Sequence, residues 1–208
     1  MRLFLHAAAD LLLGATCPGC AAPGFGLCAV CLGALDVPVR AVRRHLGVPL
    51  FAAGAYRPIL AHVVPRYKDD GALHLDRVLG LLLARAVAAH HPAPGSVLVP
   101  VPSRPGAVRA RGYDHGHRLA RVAAGAQGLR VERLVRRRVD GADQEGLSRR
   151  ERAANLAGSM QATFSPAPVI VVDDVVTTGA SLSETVRSLT AVGVAVLGAA
   201  VVADADYR

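Results

Sequence analysis

The stretch "VIVVDDVVTTGAS", residues 169–181, constrains the fold of this chain more than any other feature. It opens with four β-branched apolar residues, a pattern typical of a strand buried on both faces of a parallel sheet. Two aspartates and a small polar segment with threonine, glycine and serine follow. Ser181 and Glu184 have the spacing of a capping box, which predicts a helix where the stretch ends. The sequence therefore predicts a strand, a short polar loop and a helix in direct succession.

Strand and helix patterns alternate along most of the remaining chain. Apolar runs predict three more strands, at 50–58, 96–102 and 194–203, and shorter strands are predicted at 129–139 and 160–164. Ser148 and Glu151 have capping-box spacing, which predicts a helix at 147–158. Helical spacing of apolar residues is clear at 73–90, and 109–125 starts with a glycine loop and continues as a helix. A shorter helix at 59–71 contains Pro65, which we expect to cut or kink it. We predict an α/β domain with a mainly parallel sheet.

Composition and charge limit the classes of partner. A chain of 208 residues with 52% hydrophobic residues fits one ordinary domain plus a small accessory module. The net charge is +8, and residues 104–152, with thirteen arginines and six acids, carry +7 of it. Such a block attracts nucleotide phosphates, pyrophosphate or nucleic acid, although a solvated helical face with ion pairs is the alternative. Aromatic residues are only 4%, which disfavours a base-stacking platform.

The first fifteen residues, "MRLFLHAAADLLLGA", are apolar but interrupted by His6 and Asp10. They are too short to span a bilayer and form a poor signal peptide. Leucine, phenylalanine and alanine recur at helical spacing, which predicts a short amphipathic helix packed on the fold. We expect a cytoplasmic protein with no membrane span.

The four cysteines lie together in "CPGCAAPGFGLCAVC", at Cys17, Cys20, Cys28 and Cys31. Two CxxC pairs separated by seven residues predict two knuckle turns whose thiolates complete a tetrahedral zinc shell. With four protein ligands the zinc would be structural, and its binding would supply the energy that orders so short a ribbon. Disulfides are the alternative, but they need an oxidising compartment. We assign residues 1–36 to the N-terminal helix and this module, and 37–208 to the main domain.

The loop after the aspartates has the features of a ligand site. In α/β folds, ligands bind at the carboxyl ends of parallel strands. A helix start offers backbone N–H groups to a phosphate, and residues 177–181 add hydroxyls and a glycine that allows close approach. Asp173 and Asp174 would repel a phosphate, but they suit the vicinal hydroxyls of a ribose. The stretch is best interpreted as a binding site for a ribose 5-phosphate.

Three other interpretations of the acidic pair were weighed. A response-regulator receiver domain needs a lysine on a later strand, but only 34 residues follow Asp174 and none is lysine. A Walker-type nucleotide site needs GxxxxGK[ST], which the chain lacks. A capped turn with solvated acids is the remaining alternative.

At these residues the chain resembles known families. The stretch 169–181 is similar to the signature of type I phosphoribosyltransferases, which bind 5-phosphoribosyl 1-diphosphate (PRPP) with Mg²⁺. Four segments also resemble, in the same order, the ComF family of amidophosphoribosyltransferase-like competence proteins. They are the four-cysteine module, the Tyr67-Lys68 patch, "VPVPSRPGAVRARGYDHGHRLA" and "DQEGLSRRERAANLAGSM". The resemblance covers nearly the whole chain. It implies a type I phosphoribosyltransferase sheet with a small N-terminal zinc ribbon.

The resemblance also implies roles for individual residues. Asp173 and Asp174 would hold the ribose hydroxyls and Mg²⁺. The 5-phosphate loop would comprise Val175, Val176, Thr177, Thr178, Gly179, Ala180 and Ser181. The pyrophosphate loop would comprise Val101, Pro102, Ser103 and Arg104. A mobile flap would run from about Arg136 to Ser148, and the residues facing the ligand or supporting the flap would be Arg109, Arg111, Gln144, Arg149, Arg152 and Asn155.

The chain departs from the family pattern at one point. The family usually has Arg-Gly-aromatic-Asn-Gln where this chain has Arg111-Gly112-Tyr113-Asp114-His115. An acid and an imidazole thus replace two amides, and any role of those amides is in question. No general base is assigned, although His115 and His117 are candidates.

Two functions of different classes follow from the resemblance. One is a PRPP- or nucleotide-binding protein that assists single-stranded DNA uptake in natural transformation together with a helicase. The other is an active phosphoribosyltransferase that displaces pyrophosphate from PRPP with an unidentified nucleobase or amine. The expected metals are structural Zn²⁺ and the Mg²⁺ that accompanies PRPP.

Overall fold

The computed structural model of the protein describes residues 16–138 and 158–206. The strands in these residues are β1 (Arg40–Ala41), β2 (Leu50–Ala55), β3 (Val97–Pro100), β4 (Arg130–Val131), β5 (Val135–Arg137), β6 (Met160–Ala162), β7 (Val169–Val176) and β8 (Val196–Asp204). The α-helices are α1 (Ala29–Ala34), α2 (Leu60–Lys68), α3 (Asp76–Ala88), α4 (Pro105–Arg111), α5 (His115–Gln127) and α6 (Ala180–Ala191). A single 3₁₀ turn, Leu73–Leu75, leads into α3.

Six strands form the main sheet in the order β1-β2-β8-β7-β3-β4. Every neighbouring pair is parallel except β1 and β2, which are antiparallel. The α/β fold with a mainly parallel sheet is therefore confirmed. Strands β5 and β6 pair separately as a two-stranded antiparallel sheet.

The central strands β7 and β8 are buried on both faces, as their β-branched sequences predict. Side chains alternate along β7, so Ile170 and Val172 join the core on one face while Val169 and Val171 join the core on the other. Helices α2, α3 and α5 cover the first face. Helix α6, together with Val135 and Met160 of the small sheet, covers the second. The carboxyl ends of β3, β7 and β8 are thereby held at one edge of a rigid core.

Helices α3 and α5 pack closely because Gly80 provides no side chain at their contact. A methyl group added at Gly80 would overlap the side chain of Val122 on α5. This contact matters for the site, because α5 begins at His115, which reaches the acidic pair described below.

The structure corrects two expectations about helix ends: the cut at Pro65, which was one of two effects expected there, and the capping box at Ser181. Pro65 does not cut its helix, since α2 continues for three residues beyond it to Lys68. The proposed Ser181–Glu184 capping box does not form, because the N-cap of α6 is Gly179, two residues before Ser181. The side chain of Glu184 instead accepts a hydrogen bond from the backbone N–H of Met160 at 3.2 Å and pairs with Arg187 at 2.6 Å. Tertiary contact with β6 outweighs the local cap.

The sequence patterns also missed a helix. Residues before the glycine loop form α4, which ends at Gly112 in the left-handed conformation (φ 77°). Asp114 then caps α5 by accepting a hydrogen bond from the backbone N–H of His117 at 3.2 Å. The predicted helix around 147–158 falls almost wholly outside the described residues. In the parts of the chain that the structure describes, no helix is long and apolar enough to cross a membrane.

We predict that Gly80→Ala destabilises the protein although alanine is the better helix former. Overpacking against Val122 costs about 1–3 kcal/mol and outweighs a gain in helix propensity of up to about 1 kcal/mol. Urea unfolding measures the change, and Gly80→Ala/Val122→Ala should recover part of it. Gly125→Ala is the matched control, since open space surrounds that exposed glycine of α5. Equal stabilisation by both alanine variants would contradict the close contact.

Candidate functional site

A cleft of about 550 Å³ opens at the carboxyl edge of the main sheet. Its lining comes from the segment after β3, from α2, α4, α5 and β5, and from residues 173–181 at the end of β7 and in the loop that follows. This is the edge where α/β folds bind ligands, and the volume suits a nucleotide-sized molecule. The polar lining residues are Tyr56, Lys68, Asp69, Ser103, Arg104, Arg111, His115, Arg137, Asp173, Asp174, Thr177 and Ser181.

Asp174 lies at the floor of the cleft and is only 4% exposed. Its Oδ2 atom lies 3.0 Å from Lys68 Nζ and 3.3 Å from His115 Nε2. Its Oδ1 atom accepts a hydrogen bond from the backbone N–H of Val175 at 2.7 Å. Burial alone would raise the pKa of Asp174, but the hydrogen bond from His115 and the charge of Lys68 outweigh it and hold the pKa well below its usual range. Asp174 is therefore ionised.

The adjacent Asp173 has a different environment. Its Oδ1 atom accepts a hydrogen bond from the backbone N–H of Asp174 at 2.9 Å. Burial and the charge of Asp174 raise the pKa of Asp173 to about 8. The pair thus combines a firmly held carboxylate with a carboxyl group whose ionisation a bound cation would favour.

His115 links the acidic pair to Arg111. An Arg111 guanidinium nitrogen lies 2.8 Å from His115 Nδ1. Because a guanidinium can only donate, Nδ1 accepts, and the ring proton is on Nε2, where it is donated to Asp174. The imidazole therefore presents one acceptor and one donor, as an amide side chain does. It fills the position where the family pattern has glutamine.

Asp114, the second departure from that pattern, organises the predicted pyrophosphate loop. Its Oδ1 atom accepts a hydrogen bond from Ser103 Oγ at 3.2 Å while the same carboxylate caps α5. From the other side, Arg137 Nε donates to the Pro102 carbonyl at 2.8 Å. The loop after β3 is thus held by α5 and by β5.

Arg137 belongs to the site although the sequence patterns did not single it out. It lines the cleft, and burial and the positive charge of Arg104 lower its pKa, while Asp173 opposes that shift. Its neighbour Arg136 points the other way and donates to Gln161 Oε1 at 2.9 Å. In a run of three arginines only the pairing of β5 with β6 determines which one faces the cleft.

Lys68 also belongs to the cleft. The Tyr67-Lys68 patch was part of the sequence resemblance, but no role was assigned to this residue, which is the only lysine in the chain. Helix α2 carries it over the floor of the cleft, where it pairs with Asp174. The Coulomb attraction of Asp174 raises the pKa of Lys68 although burial opposes this, so the ammonium stays charged.

The predicted phosphate loop follows β7 directly. Gly179 has φ 80°, a conformation that glycine adopts without strain, and it forms the N-cap of α6. Thr177 and Ser181 line the cleft, and Thr178 is exposed beside them. Val176 is buried in the core and supports the loop from beneath.

The other predicted residues fall into two groups. Val101, Pro102, Ser103, Arg104 and Arg111 line the same cleft as the acidic pair, while Arg109 is exposed on α4 and is not part of the lining. The predicted residues outside the described part of the chain are Gln144, Arg149, Arg152 and Asn155.

The four cysteines form a cluster away from this cleft. Their sulfur atoms all lie within 4.8 Å of one another, and Cys20 Sγ is 3.7 Å from Cys28 Sγ. Zinc–sulfur bonds of about 2.3 Å in a tetrahedron place sulfurs about 3.8 Å apart, so the spacing fits a zinc ion. Backbone N–H groups of Cys28, Cys20 and Gly19 lower the pKa of Cys17 to about 6 although burial opposes them. Burial and the neighbouring sulfurs raise the pKa of Cys31, so a bound cation would be needed for all four cysteines to be thiolates.

Comparison with protein families finds a match for the C-terminal half of the chain, which supplies part of the cleft lining. Residues 107–207, just under half of the chain, match the model of the phosphoribosyl transferase domain. The match contains α5, the acidic pair, the loop 177–181 and β8. No curated protein gives a significant match to the chain. The chain is thus an α/β protein whose residues 107–207 are similar to the phosphoribosyl transferase domain and which has a cluster of four cysteines near its N-terminus.

We predict that His115→Ala lowers the free energy of unfolding by about 1–3 kcal/mol, because Asp174 then lacks a hydrogen-bond donor in a buried site. His115→Gln should retain more than half of that stability, since its amide offers the same donor and acceptor. Urea unfolding at neutral pH measures both. His117→Ala is the control on the same helix, where the half-buried ring contacts Arg133 instead. Equal losses in the alanine and glutamine variants would contradict the bridging role.

We predict one zinc ion per chain, held by the four cysteines. Protein purified with zinc present should show it by elemental analysis, and chelation should lower the melting temperature because the metal orders the ribbon. Cys20→Ser, at an exposed ligand position, should lose zinc, whereas Ala29→Ser in the adjacent helix should retain it. Full zinc content in Cys20→Ser would exclude the four-cysteine site.

Proposed function

We propose that the cleft binds PRPP together with Mg²⁺. The observation that supports this most strongly is the set of groups that line this one cleft. They are an acidic pair, a loop at a helix start, and the cations Lys68, Arg104, Arg111 and Arg137. PRPP offers a matching partner to each, with its ribose hydroxyls, its 5-phosphate and its pyrophosphate.

In this proposal each part of the ligand meets one part of the cleft. The vicinal hydroxyls of the ribose donate to Asp173 and Asp174. The 5-phosphate lies in the loop 177–181, where hydroxyls and the start of α6 favour an anion. The pyrophosphate lies along 101–104, near the guanidinium groups of Arg111 and Arg137.

Oxygen donors in the cleft fit Mg²⁺, which is usually held by one or two carboxylates together with substrate phosphates. Asp173 lines the cleft and is the carboxyl group whose ionisation a cation would favour. When bound, the metal would neutralise charge on the pyrophosphate.

The reaction that such a cleft supports is displacement of pyrophosphate at the anomeric carbon. The bond from that carbon to the pyrophosphate oxygen breaks, and the acceptor nitrogen bonds to the same carbon. Arg104, Arg111 and Arg137 would stabilise the negative charge that develops on the leaving group. The acceptor and the general base are unassigned.

A second candidate function is assistance of DNA uptake, as in the ComF family that the sequence resembles. The arginine-rich segment favours this function, because many of the arginines in its described part have exposed side chains. The exposed arginines of this segment are Arg104, Arg109, Arg121, Arg130, Arg133, Arg136 and Arg138. A polyanion such as single-stranded DNA would bind there through its phosphates, in partnership with a DNA-uptake helicase.

Calorimetric titration with Mg²⁺-PRPP tests the first proposal. We expect saturable binding by the zinc-loaded wild type and at least about tenfold weaker binding by Asp173→Asn/Asp174→Asn, a change of about 1.4 kcal/mol or more. The double variant Asp36→Asn/Asp70→Asn is the matched control, because it removes two exposed carboxylates that do not line the cleft. No binding by folded wild type would exclude the PRPP proposal.

Single-stranded DNA binding at several salt concentrations tests the second. Contacts to phosphates predict that log K falls with log[salt] with a slope of about −0.7 per phosphate. Arg121→Ala/Arg130→Ala, which removes two exposed arginines that do not line the cleft, should reduce the slope, while PRPP binding should stay unchanged. Absence of salt-dependent DNA binding would leave the metabolic transferase as the remaining function.

A further inference from the structure

Arg44 reaches the predicted phosphate loop from a distant part of the chain. It lies in the segment between β1 and β2, and its Nε donates to the carbonyl oxygen of Thr177 at 3.2 Å. Its terminal nitrogen pairs with Asp204 at 2.6 Å and with Asp206 at 3.2 Å. The side chain is only 18% exposed, so the guanidinium is enclosed by these partners.

Asp204 and Asp206 hold the Arg44 guanidinium in place, independently of the loop. Asp204 is the last residue of β8 and is 8% exposed, so its carboxylate has a fixed position at the edge of the sheet. The Arg44 guanidinium is planar, and a fixed contact at one nitrogen therefore determines the direction of the Nε–H bond. The Nε–H bond is directed at one carbonyl of the loop.

The hydrogen bond to the Thr177 carbonyl also fixes the direction of the Thr178 N–H group. The carbonyl of Thr177 and the N–H of Thr178 belong to the same planar trans peptide and point in opposite directions. With the oxygen turned outward to Arg44, the Thr178 N–H is turned toward the inner side of the loop. An anion in the loop requires N–H groups there, and a flipped peptide would present it with a carbonyl oxygen instead.

We propose that Arg44 is a positioning residue for the 5-phosphate loop, which it preorganises for a phosphate by fixing the Thr177–Thr178 peptide. The inference rests on the proposed PRPP function and extends it to a residue outside the matched domain. Arg44 acts from outside the loop, through the peptide, and its side chain does not line the cleft.

Binding of two partial ligands tests this inference. Ribose 5-phosphate needs the loop, whereas magnesium pyrophosphate does not. We expect Arg44→Ala to weaken binding of ribose 5-phosphate about tenfold or more while pyrophosphate binding stays within about twofold. Arg43→Ala is the matched control, since it removes the same charge from the adjacent, exposed position. It should leave both affinities unchanged.

Arg44→Lys provides a second test in case the alanine variant does not fold. It keeps the charge beside Asp204, but one ammonium cannot span both the carboxylates and the Thr177 carbonyl as a guanidinium does. It should therefore also lose ribose 5-phosphate affinity selectively. The ¹⁵N–¹H signal of Thr178 should shift on phosphate binding in wild type and Arg43→Ala, and much less in both Arg44 variants.

The outcomes separate the two proposals. Unchanged ribose 5-phosphate affinity in a folded Arg44→Ala protein would overturn the positioning role alone. Equal losses for both ligands would also overturn it, because they would indicate general damage to the fold. Wild-type protein that binds neither ligand would overturn the PRPP function itself.

Discussion

The architecture of the cleft depends on a carboxylate that is buried at the end of a central strand. An isolated buried charge is strongly unfavourable, so Asp174 requires partners that lie within hydrogen-bond distance. Lys68 comes from the end of α2 and His115 from the start of α5. The position of each helix is set by the core beneath, where Gly80 lets α3 and α5 approach. The buried charge of Asp174 therefore holds β7, α2 and α5 together at this carboxylate.

Hydrogen bonds from neighbouring side chains hold the loops of the cleft in place. Asp114 holds Ser103, Arg137 holds the Pro102 carbonyl, and Arg44 holds the Thr177 carbonyl. A loop fixed in this way loses less conformational entropy on binding. Its dipoles also have their orientation before the ligand arrives.

The two departures from the ComF pattern that the sequence resembles have a physical explanation in these contacts. An imidazole in the Nε2–H tautomer supplies the donor and acceptor of an amide, and His115 uses both. The carboxylate of Asp114 caps a helix as well as an asparagine would. Both side chains thus make hydrogen bonds of a kind that an amide could also make.

The sequence by itself determined the central strand, the loop and helix that follow it, the parallel sheet and the clustering of the cysteines. These features depend on local patterns: β-branched runs, glycine at a turn and paired CxxC spacing. Only the tertiary structure decided that the helix continues past Pro65. Only it decided that Glu184 accepts a hydrogen bond from Met160 of β6 and does not form the predicted capping box. Only it decided that Lys68 and Arg44 reach the site. Their contacts with Asp174 and Thr177 join residues more than a hundred positions apart, and such pairings follow from how the elements pack.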